Sequence, residues 1–389
     1  MSKGITIAID AMSGDDGPDV VVPAALVYLQ KKLQHDSSAV QLTSLLTESY
    51  EPKAFNIILV GDQNKLEALL CQAYRKLDKL RSKYKNTSRD RASSAQPDES
   101  SSRLVSLLSK HISIVHADSV VEMDDRPSLA FRQKRDSSMA VALELVKEGK
   151  ADACVSAGNT GALMILGRAI LGTYPGIDRP AITKMFPSQG GGTFVLDLGA
   201  NVDSSSEHLL QFAIMGQLLA KIIKGVESPK VALLNVGGES IKGNEQVRLA
   251  ASLIEEHALI NYVGFAEGGD IFRAKADVIV CDGFVGNVAL KSAEGAAKIL
   301  LKEIRDFFKA TWYRKLIGLM LLPLLKKHLK QLDPDTHNGA IFLGLQGVLV
   351  KSHGHASVQS FEHAIDLAAQ EAEAKLPEMI NQQLETLLF

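Results

Sequence analysis

The strongest constraint on how this chain folds is a series of short apolar runs that do not alternate with polar residues. "ITIAID" (5–10), "NIILVG" (56–61), "ISIVHA" (112–117), "ACVSAG" (153–158) and "TFVLDLGA" (193–200) come first; "VALLNVG" (231–237), "NYVGFA" (261–266), "DVIVCDG" (277–283) and "GVLVKSHG" (347–354) follow. A strand with one wet face alternates, whereas a strand covered on both faces is apolar almost throughout. Helical patterns such as "SSMAVALELVKEGK" and "SEHLLQFAIMGQLLAKIIKG" lie between the runs. Strands and helices in alternation imply right-handed crossover units. The predicted fold is α/β: a Rossmann-like, doubly wound, mostly parallel sheet with helices on both faces.

The 389 residues suit one large domain or two modest ones, and are read as a single α/β domain over 1–389. A net charge of −2 supplies no basic field, so nucleic acid is not an expected partner. The three cysteines have no close spacing and predict no disulfide framework, which fits a reducing cytosol. They read as buried small hydrophobes. The N-terminus enters a strand pattern without the apolar region of a signal peptide, and no apolar run is long enough to span a bilayer.

Small polar residues collect where the strands end. Asp10 is followed by Ser13 and Gly14, and "CVSAGNTGALM" (154–164) passes through Gly158, Asn159, Thr160 and Gly161 into helix formers. Asp197, Gly199 and Asn201 close another run; Asn235 and Gly237 the next; Asp282, Gly283, Gly286 and Asn287 a further one. In open α/β sheets ligands bind at the carboxyl ends of the strands, so these positions predict a cleft. For 158–161 two readings stand. Free N–H groups at a helix start, approached closely over glycine, suit an anion; alternatively Asn159 or Thr160 simply caps a tight turn.

The usual signatures of other chemistries are missing. The chain has no Gly-x-Ser-x-Gly elbow, no Gly-x-Gly-x-x-Gly after the first strand and no Gly-Lys-Ser/Thr. His353 and His355 have no metal-ligand companions in sequence, so neither a metal nor a cofactor is expected. What remains is amides, a few carboxylates and Lys184, Lys242, Lys291 and Lys351. Such a site binds an anion and stabilises developing negative charge without an obvious protein nucleophile. Group transfer onto a bound nucleophile follows, with inorganic phosphate one candidate.

Two segments break the rhythm. Residues 75–103 are polar and serine-rich and read as a surface insertion, its 86–102 part mobile; a smaller insertion is placed at 33–53. Residues 311–330 form a hydrophobic helical tip, apolar from Leu316 to Leu325 apart from Gly318 and Pro323, with Arg314 and Lys315 before and Lys326, Lys327, His328 and Lys330 after. It reads either as a buried helix or dimer contact, or as an interfacial segment with leucines among acyl chains and cations on anionic headgroups.

The stretches "IDAMSGDDGP", "DRPSLAFRQKRDSSM", "CVSAGNTGALM", "DLGANVD", "NVGGESIKG", "VCDGFVGNVALK" and "NGAIFLGLQGVLVKSHG" run in order from residue 9 to residue 354. In these the sequence resembles the bacterial acyl-carrier-protein:phosphate acyltransferases of phospholipid synthesis. Ser13 stands where that pattern usually has glycine, and Gly238 and Ser240 flank Glu239 where it is more acidic; the 75–103 insertion is long. The resemblance implies a fold like the isocitrate and isopropylmalate dehydrogenases and the phosphotransacetylases. It implies transfer of a fatty acyl group from acyl carrier protein to inorganic phosphate, giving acyl phosphate for phosphatidic acid synthesis. It also implies a homodimer, cytoplasmic and peripherally membrane-associated, in contact with the membrane glycerol-3-phosphate acyltransferase and an anionic membrane surface. Asn159, Thr160 and Gly161 are then expected at phosphate, and Asn235, Asn287 and Lys291 at phosphate or the oxyanion. Asp197, Asn201 and His353 are further candidates, although Asp197 can equally cap a turn. Lys291, four residues beyond Asn287, is expected to conflict with the positive end of its helix unless a phosphate lies between. The rival classes are a coenzyme A-using phosphotransacetylase-like enzyme, a dehydrogenase and a non-catalytic membrane-surface adaptor.

Overall fold

A computed structural model describes residues 4–43, 55–85, 99–189, 191–239, 241–321 and 338–388. The chain divides into two compact units, Met1–Leu171 with Gly347–Ala374 and Gly172–Gln346 with Lys375–Phe389. Elements are numbered in chain order.

In the first unit β1 (Ile5–Asp10), β2 (Phe55–Gly61), β3 (Ile112–His116), β4 (Ala153–Ser156) and β11 (Val348–Lys351) lie in the order β3-β2-β1-β4-β11, every neighbouring pair parallel. Ile7, Ile9, Ile57, Leu59, Val155 and Val350 are buried with α1 (Pro18–Thr43) and α11 (Val358–Glu373). The alternate residues Ala8, Val60, Cys154 and Leu349 are equally buried, and α5 (Ser138–Lys147) packs on β1, β2 and β4. Both faces are covered along β1, β4, β11 and most of β2, which is why these strands carry no polar alternation; the edge strand β3 is only partly buried. The register sets Asp10 beside Ser156 and Ser156 beside Lys351, so three neighbouring strands end in polar residues at one edge.

In the second unit the order is β10-β5-β6-β9-β7-β8: β5 (Ala181–Phe186), β6 (Thr193–Leu196), β7 (Val231–Leu234), β8 (Tyr262–Ala266), β9 (Val278–Val280) and β10 (Ala340–Leu343). Strand β5 runs antiparallel to both β10 and β6; the remaining pairs are parallel. The sequence runs missed β5 and β10. Thr183 and Lys184 interrupt the apolar pattern of β5, and both are answered by groups distant in sequence, Thr183 by the Val195 carbonyl at 3.1 Å and Lys184 by Glu294. The core of this unit forms around α7 (Ser206–Lys224), whose Phe212, Met215 and Leu219 are buried and on which α8 (Glu245–Glu256) and α12 (Leu376–Leu388) pack.

The segments outside the strand rhythm are mostly helical where they are described. Helix α1 continues through 33–43, and α2 (Gln63–Lys85) and α3 (Glu99–Lys110) take up both ends of the stretch read as an insertion; 44–54 and 86–98 lie outside the described residues. Cys154 and Cys281 are buried as expected, but Cys71 is on the exposed side of α2. Between α3 and α5 lies the short helix α4 (Pro127–Gln133), and α6 (Thr160–Ile170) and α9 (Gly283–Lys309) begin after β4 and β9. Residues 312–321 are helical (α10), and Leu319 and Met320 are 69% and 79% exposed. The rest of the expected tip, 322–330 with Pro323, lies outside the described residues. Among the described residues no helix is long and apolar enough to cross a membrane.

Candidate active site

Helix α6 starts directly after β4, and Asn159 is its cap. The Asn159 Oδ1 accepts from the Ala162 N–H at 3.1 Å, while Nδ2 donates to the carbonyls of Met123 and Asp125 at 2.8 and 3.1 Å. The side chain is thereby committed to the turn and to the segment before α4. The N–H groups of Thr160 and Gly161, the first two of the helix, have no hydrogen-bond partner among the described residues. The capping reading is the one seen: Asn159 caps, and the Thr160 and Gly161 amides are the usual unpaired donors of a helix start. The glycines serve close approach. A Cβ on Gly161 would lie 2.6 Å from the Pro127 ring, and one on Gly158 would lie 2.4 Å from Met139 and 3.1 Å from Ser13.

Beneath this turn lies a buried polar cluster. Asp10 is 0% exposed; Ser13 and Ser156 both donate their hydroxyls to its Oδ2, Ser156 at 2.7 Å, and the Gly158 N–H donates to Ser156 at 3.1 Å. Asp10 Oδ1 and Ser138 Oγ are buried without a hydrogen-bond partner among the described residues. Burial pushes the Asp10 carboxyl above the usual carboxylate range, and the Ser13 and Ser156 hydroxyls only partly oppose this. Nearby, Lys134 binds the Val120 carbonyl at 2.8 Å and the Asp125 carboxylate at 2.5 Å, which holds Asp125 below its ordinary range.

Two loops close over the turn. The Asp15 N–H donates to the Gly354 carbonyl at 3.0 Å, and Asp15 Oδ2 meets His355 Nδ1 at 2.7 Å. His353 Nδ1 accepts from the His355 N–H at 3.3 Å and the two rings stack. Gly14 (φ +91°) makes this crossing possible, since a Cβ there would lie 2.9 Å from Ala157 and 3.2 Å from the Gly354 carbonyl. Asn159, Thr160, Gly161 and His353 thus sit on adjacent loops of the first unit.

Asp197, Asn201, Asn235, Asn287 and Lys291 belong to the second unit. The buried Asp197 carboxylate accepts five N–H groups, from Ile182, Gly199, Ala200 and Asn201 backbones and the Asn201 side chain, at 2.7–3.1 Å. Burial raises its pKa against the pull of those donors. Its oxygens are spent on shaping the 197–201 loop. Asn201 also donates to the Pro180 carbonyl at 2.9 Å. Helix α9 is seated on this loop: a Cβ on Gly286 would lie 1.8 Å from the Asp197 carbonyl, and one on Gly199 would lie 3.3 Å from Asn287. Asp282 caps α9 by accepting from Phe284 and Val285 at 3.0 Å.

Lys291 lies two turns inside α9, where the field of the helix end has faded, and Glu294 is 3.8 Å away. The expected conflict with the helix dipole is therefore absent. Glu294 also meets Lys184 of β5 at 3.4 Å, and these two side chains are only 14% and 13% exposed. Asn235 is turned back on its own loop, donating to the Lys242 carbonyl at 3.1 Å and accepting from the Val236 N–H at 2.9 Å. A depression of about 750 Å³ is lined by Arg179, Ser204, His208, Asn244, Asp282 and Phe284, where α7, α8 and α9 begin. Burial pushes the thiols of Cys154 and Cys281 well up, so neither presents a thiolate.

Sequence reasoning overlooked Ser138, Ser156, the Asp125–Lys134 pair and Glu294. Only Ser156 left a trace, as the polar end of an apolar run.

Comparison with known proteins places this geometry in a family. Residues 94–379 match the family model described as "Fatty acid synthesis protein". The phosphate acyltransferase of Marinobacter nauticus is 46% identical over 99% of this chain and 97% of its own length. That of Halorhodospira halophila is 45% identical over 100% and 98%. A solved phosphotransacetylase from Streptococcus pyogenes is a distant likeness, 14% identical over 96% of this chain and 95% of its own, with a TM-score of 0.49. With these relatives aligned from end to end and the family model over most of its length, the chain belongs to the phosphate acyltransferase family and is an acyltransferase of fatty acid and phospholipid synthesis.

Proposed function

We propose that the acyl donor is an acyl-carrier-protein thioester, the acceptor inorganic phosphate and the product acyl phosphate, made for phosphatidic acid synthesis. The observation that carries this reading is the pair of open N–H groups at Thr160 and Gly161 above the buried Asp10–Ser156 cluster. Phosphate held there attacks the thioester carbonyl directly, since neither buried cysteine is a nucleophile. The carbonyl oxygen becomes an oxyanion, for which each fixed donor is worth about 10²–10³ in rate. Holding both reactants in place supplies much of the rest. Asn287, Lys291 and Asn235 are kept as proposed anion contacts of the second unit, with Asp197 and Asn201 holding the loop on which Asn287 rests. Val285 and Phe284 at the mouth of the α7–α9 depression suit the apolar part of the donor.

The test is thiol release with and without phosphate, using carrier-protein and coenzyme A thioesters side by side, with hydroxylamine trapping of acyl phosphate. The expected result is phosphate-dependent release with the carrier donor preferred. Release independent of phosphate overturns the reading; preference for coenzyme A replaces the donor.

We extend the reading to a cytoplasmic homodimer that touches the membrane and its glycerol-3-phosphate acyltransferase. Support comes from α10, where Leu316, Leu319 and Met320 are exposed beside Arg314 and Lys315. Burying one such side chain is worth roughly 1.5–3 kcal/mol, and a cation at an anionic surface about 1 kcal/mol. In flotation with anionic vesicles, Leu319→Glu and Met320→Glu are expected to abolish binding while phosphate-dependent thiol release persists. Variants that float like the native protein would make α10 a protein contact instead.

A further inference from the structure

We propose that His355, held by Asp15, is the general acid that protonates the departing thiolate of the donor. The proposal rests on the reading that phosphate, seated at α6, displaces a thiol from a thioester. It begins from strand order. Strand β4 is flanked by β1 on one side and β11 on the other, all parallel. The loops leaving β1 and β11 must therefore emerge on either side of the β4–α6 turn, and they meet across it. The Asp15 N–H binds the Gly354 carbonyl at 3.0 Å, Gly14 is pressed against Ala157, and His355 Nδ1 lies 2.7 Å from Asp15 Oδ2. Gly354 in turn lies against Met123, whose carbonyl receives the Asn159 side chain. One continuous set of contacts thus links His355 to the cap of α6.

The two nitrogens of His355 are in different positions. Nδ1 faces the Asp15 carboxylate, so it carries a hydrogen toward Asp15. Nε2 has no hydrogen-bond partner among the described residues, and the side chain is 78% exposed. A ring oriented through one nitrogen and open at the other is the arrangement that acid–base transfer requires. His353 is different, because its Nδ1 is occupied by the His355 N–H. The charged groups on the segments around His355 are Asp15 and Asp16 after β1, His353 on its own loop, and Asp124, Asp125 and Lys134 on the segment carrying Met123.

The reaction needs such a group. A phosphate oxygen forms the new C–O bond as the carbonyl π pair moves to oxygen. When that pair returns, the C–S bond breaks and its electrons leave with sulfur. Sulfur takes the proton from Nε2, and the imidazole regains one through water as the phosphate sheds its own. The net change is thioester plus hydrogen phosphate to acyl phosphate plus thiol, with no proton consumed. Asp15 is a positioning residue, while His355 meets the reacting sulfur.

The experiment measures kcat and the KM for phosphate in the full-length protein, with an acyl-carrier thioester as donor, from mildly acid to alkaline pH. Native kcat is expected to fall on the alkaline side. His355→Gln is expected to lower kcat about 100-fold, the lower end for a positioned acid, with no alkaline fall and an unchanged KM for phosphate. Asp15→Asn is expected to lower kcat about tenfold and keep the alkaline fall, the ring being present but unheld. Melting curves are expected to match the native protein's, since the substituted side chain is exposed. The proposal is overturned if His355→Gln keeps native kcat, or loses activity but retains the native pH profile. A native protein that releases no thiol in response to phosphate overturns the function reading itself, and is recognised before any variant is made.

Discussion

Thr160→Pro is expected to raise the KM for phosphate about 10- to 100-fold while the protein stays folded. Proline at the first position of a helix is well tolerated, because the N–H it lacks has no partner within the helix and its fixed φ is already helical. The preceding residue must be extended, and Asn159 already is, with φ −56° and ψ 121°. The substitution therefore deletes one of the two open amides at α6 and little else. A hydrogen bond to a charged group is worth about 1.5–3 kcal/mol, which gives the stated range. Thr160→Ala removes the hydroxyl but keeps the N–H, and is expected to bind phosphate nearly as well as the native chain. Initial rates at varied phosphate, with a melting curve for each variant, make the comparison. A proline variant with native phosphate dependence would move the anion away from the α6 amides.

Glu371→Gln is expected to remove a pH-dependent weakness of the first unit. Helix α11 turns Phe361, Ala364, Ile365, Ala368 and Ala369 inward, and Glu371 falls on the same buried stripe. It is 3% exposed, and its Oε2 has no hydrogen-bond partner among the described residues. Glu362, about two and a half turns earlier on the same helix, is answered by Lys31 at 2.7 Å. Burial alone pushes the Glu371 carboxyl from 4.5 up to about 7. The sign follows. Below 4.5 the group is neutral folded and unfolded and costs nothing; as pH rises toward 7 the unfolded chain ionises first, so stability falls. Above about 7 the folded chain also carries the charge, and the full cost applies. Each pH unit is worth about 1.4 kcal/mol, so the window amounts to about 3 kcal/mol. Melting curves of native and Glu371→Gln proteins are expected to coincide at the acid end and separate in favour of the variant toward pH 8. Curves that stay parallel throughout would show that Glu371 is charged and answered in the folded chain.

Some of this protein was legible without coordinates, for a physical reason that can be given strand by strand. β1, β2, β4, β7 and β9 are covered on both faces, so their burial is written as uninterrupted apolar residues. The turn at 158–161 was legible too, because capping is local: Asn159 binds Ala162, three residues on. Strands β5 and β10 were not, because Thr183 and Lys184 are satisfied by groups distant in sequence. The same limit applied to function. Residue types and strand ends implied an anion and no protein nucleophile, but which side chains share a site depended on strand order. Asp10 meets Ser156 because β1 pairs with β4, and Asp15 meets His355 because β1 and β11 flank β4. Asp197, equally polar at an equally placed strand end, has its carboxylate taken up by the 197–201 loop and by the Ile182 amide of β5. A pattern of neighbours along the chain records burial and caps, whose causes are local; hydrogen bonds between distant strands leave no such record, and only the folded chain decides them.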